Sequence, residues 1–388
     1  MGDAVVRVAT VITRLEGGAG QLALRGALIM DPGAYEMTII TGRGDPVLLD
    51  RAAAAGLEVL IEPALRAPIA PRSDLGALVR LRGMFTRRPF DIVHTHTAKA
   101  GMIGRLAAHG AGVPRLVHTY HGFPFHEFQA LPRRQAYVRI ERGLGRITDL
   151  ALCVGTGVAV EAVRRRLISP ERIRTIGVVA DGPALAHDGR HGAVPGSARA
   201  RARAALGLPA GATVVGAVGR LTYQKAPGDF VAALRELGRP DVTGVWVGDG
   251  ELAGQVAAQA GETPAVRLVL AGQRGNVPEL LAAFDVFLLS SRYEGLPTAV
   301  VEAMMCGIPV VATAVNAVGD VVVPGETGLL VPPGHPALMA DAVRFFLDSP
   351  EAAARMAAAA QARLGKRFGE PALRQALMAA YSGESDRE

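Results

Sequence analysis

Cysteine is almost absent from this sequence: its 388 residues include only Cys153 and Cys306, each inside an apolar run. A disulfide framework is not expected, and a reducing cytoplasm suits the chain best. Long hydrophobic runs are missing too. Every apolar stretch is broken by Gly, Arg or Asp well before the ~20 residues that a spanning helix needs. The chain does not open on a basic stretch followed by an apolar core, so no secretory signal is expected. Val6 stands where a myristoylated start would carry Ser or Thr. There is no tandem repeat, no low-complexity segment and no Asp-x-Asp pair to suggest a metal. What is present is 49 % hydrophobic and 20 % charged, a globular composition able to bury sizeable cores.

The net charge of +6 is unevenly spread. Residues 1–181 hold 24 Lys and Arg against 16 Asp and Glu, whereas residues 182–388 hold 18 against 20. The excess gathers in two places. Arg66, Arg72, Arg80, Arg82, Arg87 and Arg88 face only Asp74 in the sequence, and Arg133, Arg134, Arg139, Arg142 and Arg146 face Glu141. Such clusters suit an anionic membrane surface or a phosphate-bearing substrate, and equally a solvated Arg-rich face.

The length calls for two domains. Short runs rich in Val, Ile and Leu recur, each followed by a helical stretch. In the first half they are 5–12, 37–41, Ile92–Thr95, Arg115–Tyr120 and 150–154. In the second they are Thr213–Val218, 244–247, 267–271, Val286–Leu289, 310–312 and 328–331. They lack clean alternation, so both faces should be buried, as in parallel sheets covered by helices. Strand–helix alternation through both halves predicts an α/β chain of two doubly wound, Rossmann-like domains. Residues 1–181 form the first domain, 182–197 a Gly- and Pro-containing linker and 198–366 the second domain. A C-terminal helix within 367–388 is expected to return to the first. Two such domains facing one another would put the carboxyl ends of both sheets around a central cleft, where ligands of open α/β sheets bind.

The loops name the ligand. The strand Val286–Leu289 runs into Glu294-Gly295-Leu296-Pro297-Thr298-Ala299 and on to Glu302. Pro297 suits the first helical position. The free amides of Thr298 and Ala299, with the helix dipole, then make a phosphate site. Glu294 and Glu302 flank that turn, and carboxylates bind sugar hydroxyls as charged acceptors. Arg220 and Lys225 occupy the loop after Thr213–Val218, where two cations can clamp adjacent phosphates without a metal.

These motifs resemble the GT-B retaining glycosyltransferases of family 4, in particular bacterial polysaccharide and lipid-linked glycan transferases. Glu294 and Glu302 meet the family's Glu-x7-Glu pattern, and Gly219-Arg220-Leu221 with Lys225 matches its phosphate loop. Gly248-Asp249-Gly250, Leu270-Ala271-Gly272-Gln273-Arg274 and Gly325-Glu326-Thr327-Gly328 match later turns. In the first half, Gly17-Gly18-Ala19, Asp91-Ile92-Val93-His94-Thr95-His96 and His118-Thr119-Tyr120-His121-Gly122-Phe123-Pro124 are similar to family segments. The resemblance implies that Arg220 and Lys225 hold the donor diphosphate, with Gly295, Leu296, Thr298 and Ala299 around it. Glu294 would contact the donor sugar, Glu302 the ribose and Arg274 the base. Gly17 and Gly18 would approach the diphosphate and acceptor, and His121 the transferred sugar. The catalytic set is His121, Glu294, Arg220 and Lys225. Two departures stand out: Asn316-Ala317 replaces a Gly-Gly pair, and Val178-Val179-Ala180-Asp181 replaces Asn-Gly-Val-Asp.

The implied reaction moves a sugar from a nucleotide-diphosphate sugar, UDP ahead of GDP, to a glycan or lipid-linked acceptor in envelope or exopolysaccharide synthesis. It needs neither a cofactor nor a metal. The setting is the cytoplasm, with peripheral contact to the anionic inner membrane face and no nucleic-acid partner. Alternatives are a soluble small-molecule acceptor, a sugar-nucleotide epimerase on the same fold, or a non-catalytic binding module. His94, His96 and His118, at strand ends, read more readily as histidines bonded to backbone than as metal ligands. Phe123, Phe125 and Phe128 form an apolar patch beside His121, either core or a seat for an acceptor.

Overall fold

The computed structural model describes residues 5–66, 68–125, 129–177, 196–262 and 266–383, without the side chains of 365–367. Two compact units share the chain: Met1–Val179 with Gly369–Glu388, and Ala180–Phe368. Residues 178–195, which hold most of the expected linker and the Val178–Asp181 departure, lie outside the described residues, as does Phe128.

The first unit alternates β1 (Val6–Ile12), α1 (Gly17–Leu28), β2 (Tyr35–Thr41), α2 (Pro46–Ala54), β3 (Glu58–Ile61), α3 (Pro71–Arg87) and β4 (Ile92–His96). It continues through α4 (Ala98–Gly110), β5 (Arg115–Tyr120), α5 (Leu131–Arg146), β6 (Leu150–Cys153), α6 (Thr156–Arg164) and β7 (Ile173–Thr175). The sheet order is β3-β2-β1-β4-β5-β6-β7, and each recorded pairing is parallel. The central strands are buried on both faces because helices cover both, as the absence of alternation predicts. The edge strands β3 and β7 are partly exposed and, at 4 and 3 residues, too short to stand out in the sequence.

The second unit runs α7 (Ala198–Ala205), β8 (Thr213–Val218), α8 (Pro227–Leu237), β9 (Val242–Val247), α9 (Ala253–Gly261), β10 (Arg267–Gly272) and α10 (Val277–Leu281). It then adds β11 (Val286–Leu289), α11 (Thr298–Met305), β12 (Val310–Thr313), β13 (Leu329–Val331), α12 (Pro336–Asp348) and α13 (Pro350–Arg367). Its parallel sheet is ordered β10-β9-β8-β11-β12-β13. A Cβ at Gly216 in β8 would fall 2.1 Å from the Phe284 ring, so glycine lets that buried ring lie flat against the strand.

The last helix, α14 (Glu370–Ser382), belongs to the first unit. Tyr381 is buried, its hydroxyl 2.8 Å from Nδ1 of His94. Arg115 Nε donates to the Ala380 carbonyl at 2.7 Å. Both cysteines are free and buried, and burial pushes the thiols of Cys153 and Cys306 up to about 12 and about 11. Among the described residues, no helix is long and apolar enough to cross a membrane.

Candidate functional site

In each sheet the strand order reverses once, between β1 and β4 and between β8 and β11. A switch point is where the loops at the carboxyl ends diverge and leave room for a ligand. Gly17 and Gly18 follow β1, Arg220 and Lys225 follow β8 and Glu294 to Thr298 follow β11, whereas His121 follows β5, Arg274 follows β10 and Glu302 lies inside α11.

In the second unit the β8 and β11 loops are tied together. Ser290 Oγ donates to the Lys225 carbonyl at 2.9 Å, and the Arg292 amide donates to the Gln224 carbonyl at 2.8 Å. The loop after β9 supports them from below. The Leu221 amide donates to the Asp249 carbonyl at 3.0 Å, and Gly248, at φ 135°, would put a Cβ 2.1 Å from the Gly219 carbonyl oxygen. Only glycine fits there.

Lys225 and Glu294, assigned separately to phosphate and sugar by resemblance, are here an ion pair with Nζ 2.6 Å from Oε1. Ser291 Oγ donates to the same oxygen at 2.5 Å, and Gln224 Nε2 reaches Oε2 at 3.4 Å. The Lys225 stem runs over Gly219, where a Cβ would meet it at 3.1 Å. A long flexible cation is thus held in one place before any anion arrives. Arg220 is exposed, and its guanidinium makes no hydrogen bond or ion pair among the described residues. Arg274 is exposed too, with Nε donating to the Ala271 carbonyl at 2.9 Å.

One expectation shifts by a residue. Pro297 is not the first residue of α11 but its cap, with φ −76° and ψ 102°. Its ring permits helical φ, but the extended ψ keeps the residue outside the helix, and its carbonyl accepts from the amides of Val300 and Val301. The Thr298 and Ala299 amides, first in the helix, donate to no backbone carbonyl among the described residues. Leu296 is buried and Gly295 half-buried behind them. Glu302 lies one turn in and is 8 % exposed, which excludes a merely solvated helix residue. Asn316, at φ 44°, accepts the Glu294 amide on Oδ1 at 2.9 Å. The residue that breaks the family's Gly-Gly pattern therefore supports the same glutamate, and asparagine tolerates that backbone.

In the first unit, Gly17 opens α1 at φ +60° with open space where a side chain would be. Neither Gly17 nor Gly18 is followed by a side-chain cap; the first recorded donor is the Gly20 amide, to Glu16 at 3.1 Å. His121 follows β5 directly, with Nε2 2.9 Å from Nδ1 of His96 at the end of β4. Burial lowers His121 to about 4 and His94 to about 3, and takes His96 and His118 well below the usual imidazole range. These histidines are neutral at pH 7. His94 bonds to hydroxyls rather than to backbone, with Nε2 2.7 Å from Thr119 Oγ1, whereas His118 bonds to the Thr95 backbone as expected and also lies, at Nδ1, 2.8 Å from Thr95 Oγ1. Among the described residues, no group of three His, Cys, Asp or Glu is placed to hold a metal. Phe123 and Phe125 stack at 4.8 Å, and Phe125 packs with Val138, Ala162 and Leu167 as core.

Sequence reasoning missed Thr97, a β-branched residue at φ 65° immediately after His96. Its hydroxyl meets that of Thr13 at 2.9 Å. Backbone strain of this kind costs about 1–3 kcal/mol and clusters at functional sites. No local sequence signal marks it.

The two arginine clusters separate. Around α3, Arg80 pairs with Glu62 at 2.8 Å and Arg88 with Glu58, while Asp74 is taken by Lys99 at 2.8 Å. On α5 the expected counter-charge is absent from the surface. Glu141 points inward, to Arg105 at 2.9 Å and the Tyr120 hydroxyl at 3.0 Å. Arg134, Gln135, Val138, Arg139 and Arg142 share one face of α5 and, with Arg165, line a groove of about 310 Å3. Arg165 pairs with Glu161 at 2.7 Å, leaving the groove strongly positive.

Comparison with known proteins accounts for both units. Residues 17–178 match the model described as Glycosyltransferase Family 4, and residues 198–363 the model described as Glycosyl transferases group 1. An Escherichia coli UDP-Gal:alpha-D-GlcNAc-diphosphoundecaprenol alpha-1,3-galactosyltransferase is 32 % identical over 260 residues, 66 % of this chain and 65 % of that protein, just under two thirds of its length. A D-inositol 3-phosphate glycosyltransferase of Thermobispora bispora is 29 % identical over 336 residues, 81 % of this chain and 76 % of its own. The fold matches Anabaena Alr3699/HepE, crystallised with UDP and glucose, at a TM-score of 0.81 and 22 % identity, covering 98 % of this chain and 100 % of the other.

Proposed function

The chain belongs to family 4 of the GT-B glycosyltransferases, and we propose that it moves a sugar from a UDP-linked donor to a lipid-diphosphate-linked glycan, with retention and without a metal. The observation that carries the donor half is the turn at the β8–β11 switch. There Lys225 is held by Glu294, and the Thr298 and Ala299 amides have no backbone partner among the described residues. In the reaction the bond from the anomeric carbon to the diphosphate oxygen breaks. The acceptor oxygen bonds to the same face of that carbon, and its proton passes to the departing phosphate oxygen. The charge that develops on the diphosphate is met by Lys225 and the two amides, held in place before the reaction starts, and by the exposed Arg220. Glu302 takes the ribose hydroxyls, Glu294 the donor sugar, Arg274 the base and His121 the transferred sugar, with Gly17 and Gly18 close to the diphosphate.

The lipid-linked acceptor is supported by the E. coli relative, whose name gives UDP-galactose as donor and a diphosphoundecaprenol-linked sugar as acceptor. A soluble phosphorylated acceptor is the second reading, favoured by the inositol-phosphate relative. The test incubates the chain with UDP-sugars, with and without a sugar-diphosphate-polyprenol. Expected is UDP release with one sugar added to the lipid in the donor's anomeric configuration. Epimerised donor in the absence of acceptor, or no turnover with any nucleotide sugar, overturns the reading.

The same reading places the protein at the inner membrane face, held by the α5 groove. Co-sedimentation with vesicles containing anionic lipid should be strong at low salt and weak at high salt, since exposed charges are screened beyond about 10 Å at 0.1 M. Replacing Arg134 and Arg139 with Glu should abolish it. Salt-insensitive binding, or none, contradicts the membrane role.

A further inference from the structure

The histidine at the site does not stand alone. His96 Nδ1 and His121 Nε2 are 2.9 Å apart, with ring centroids at 5.2 Å and planes inclined by 36°. The His96 ring lies over His94 at 4.3 Å. His94 is held at both nitrogens, by the Tyr381 hydroxyl at 2.8 Å and the Thr119 hydroxyl at 2.7 Å. Tyr381 comes from α14, so the C-terminal helix of the unit fixes His94, which in turn limits how the His96 ring can turn.

Two neutral imidazoles that meet nitrogen to nitrogen can bond only if one carries the shared proton and the other offers a lone pair. The tautomers of His96 and His121 are therefore linked. A proton on His96 Nδ1 leaves His121 Nε2 as acceptor and requires the proton of His121 on Nδ1, and the reverse arrangement exchanges both. We propose that His96 is a positioning residue that fixes the ring plane and the tautomer with which His121 meets a hydroxyl of the transferred sugar. This rests on the reading that assigns His121 to that sugar. Neither the His-x-His spacing nor the strand pattern distinguishes this role from that of His94, because only the register of β4 against β5 brings His96 level with Thr119, two residues before His121.

The test exploits which nitrogen is used. The side-chain amide of asparagine reaches the place of Nδ1, whereas that of glutamine reaches the place of Nε2. His96→Asn should therefore turn over within about threefold of the wild type, while His96→Gln and His96→Leu should lose about tenfold in kcat with little change in donor KM, the size of one lost hydrogen bond. Equal melting temperatures for the Asn and Gln variants make the comparison one of positioning. In 15N spectra of labelled histidine, His121 should show a single tautomer in the wild type and His96→Asn, and an averaged one in His96→Gln. Equal activity of the Asn and Gln variants, or an unchanged His121 spectrum in His96→Gln, overturns the proposal. His121→Ala separates the two claims: full turnover in that variant refutes the sugar-contacting role of His121, while the 15N spectra still decide the pairing.

Discussion

Lys225→Ala is expected to lower kcat by about a hundredfold, the effect of removing one preorganised group that meets charge in the transition state, about 2.7 kcal/mol. Two consequences of the substitution add. The departing diphosphate loses its fixed cation, and Glu294, with a side chain only 5 % exposed, loses the partner 2.6 Å away. A buried carboxylate without its cation is costly, so the glutamate, left with Ser291 and Gln224, is expected to shift from its place. Steady-state kinetics separate these effects. Lys225→Ala should lower kcat and raise donor KM, whereas Glu294→Gln, which keeps the volume and the amide link to Asn316, should leave UDP affinity within a few-fold. If Lys225→Ala turns over at a near-native rate, the cation does not serve the leaving group.

Glu302→Ala should reduce kcat/KM for the donor at least tenfold, equivalent to about 1.4 kcal/mol. A carboxylate that accepts two ribose hydroxyls makes charge-assisted bonds, each worth about 1.5–3 kcal/mol when an ionised group is involved. That loss belongs mostly to binding, so KM should carry more of it than kcat. Glu302→Gln, isosteric but neutral, should recover part of the affinity. Because Glu302 lies 8 % exposed within α11, a melting temperature for each variant is needed beside the kinetics. Wild-type kcat/KM in a folded Glu302→Ala variant removes this residue from the donor site.

The doubly wound halves were legible because buried parallel strands are apolar without alternation. Thr213–Val218, Val286–Leu289 and Arg115–Tyr120 could be bounded to the residue. β3 and β7 were not, since edge strands of 4 and 3 residues are too short for a pattern to be told from that of a loop or helix end. At the site, Glu294, Arg220 and Lys225 were legible as residue types in loops after strands, and Glu302 as a carboxylate one turn into the following helix. Their mutual geometry was not. A charge pair between residues 69 apart depends on β8 and β11 being neighbours, which sequence spacing does not encode. The Asn316 support for Glu294 looked like a departure from pattern because its effect runs through a side-chain oxygen rather than through the glycine conformation it replaces. Glu141 misled in the opposite sense. By sequence it sits among the α5 arginines, but the helix turns it inward to Arg105, and charge counting along a chain cannot tell one face of a helix from the other.

The central claim is that the loops at the β8–β11 switch hold a nucleotide diphosphate, and calorimetric titration with UDP and with uridine tests it most directly. The wild type should bind UDP far more tightly than uridine, and Lys225→Ala should weaken UDP at least tenfold while leaving uridine unchanged. Equal affinity of the wild type for UDP and uridine, or unchanged UDP binding in Lys225→Ala, would contradict it.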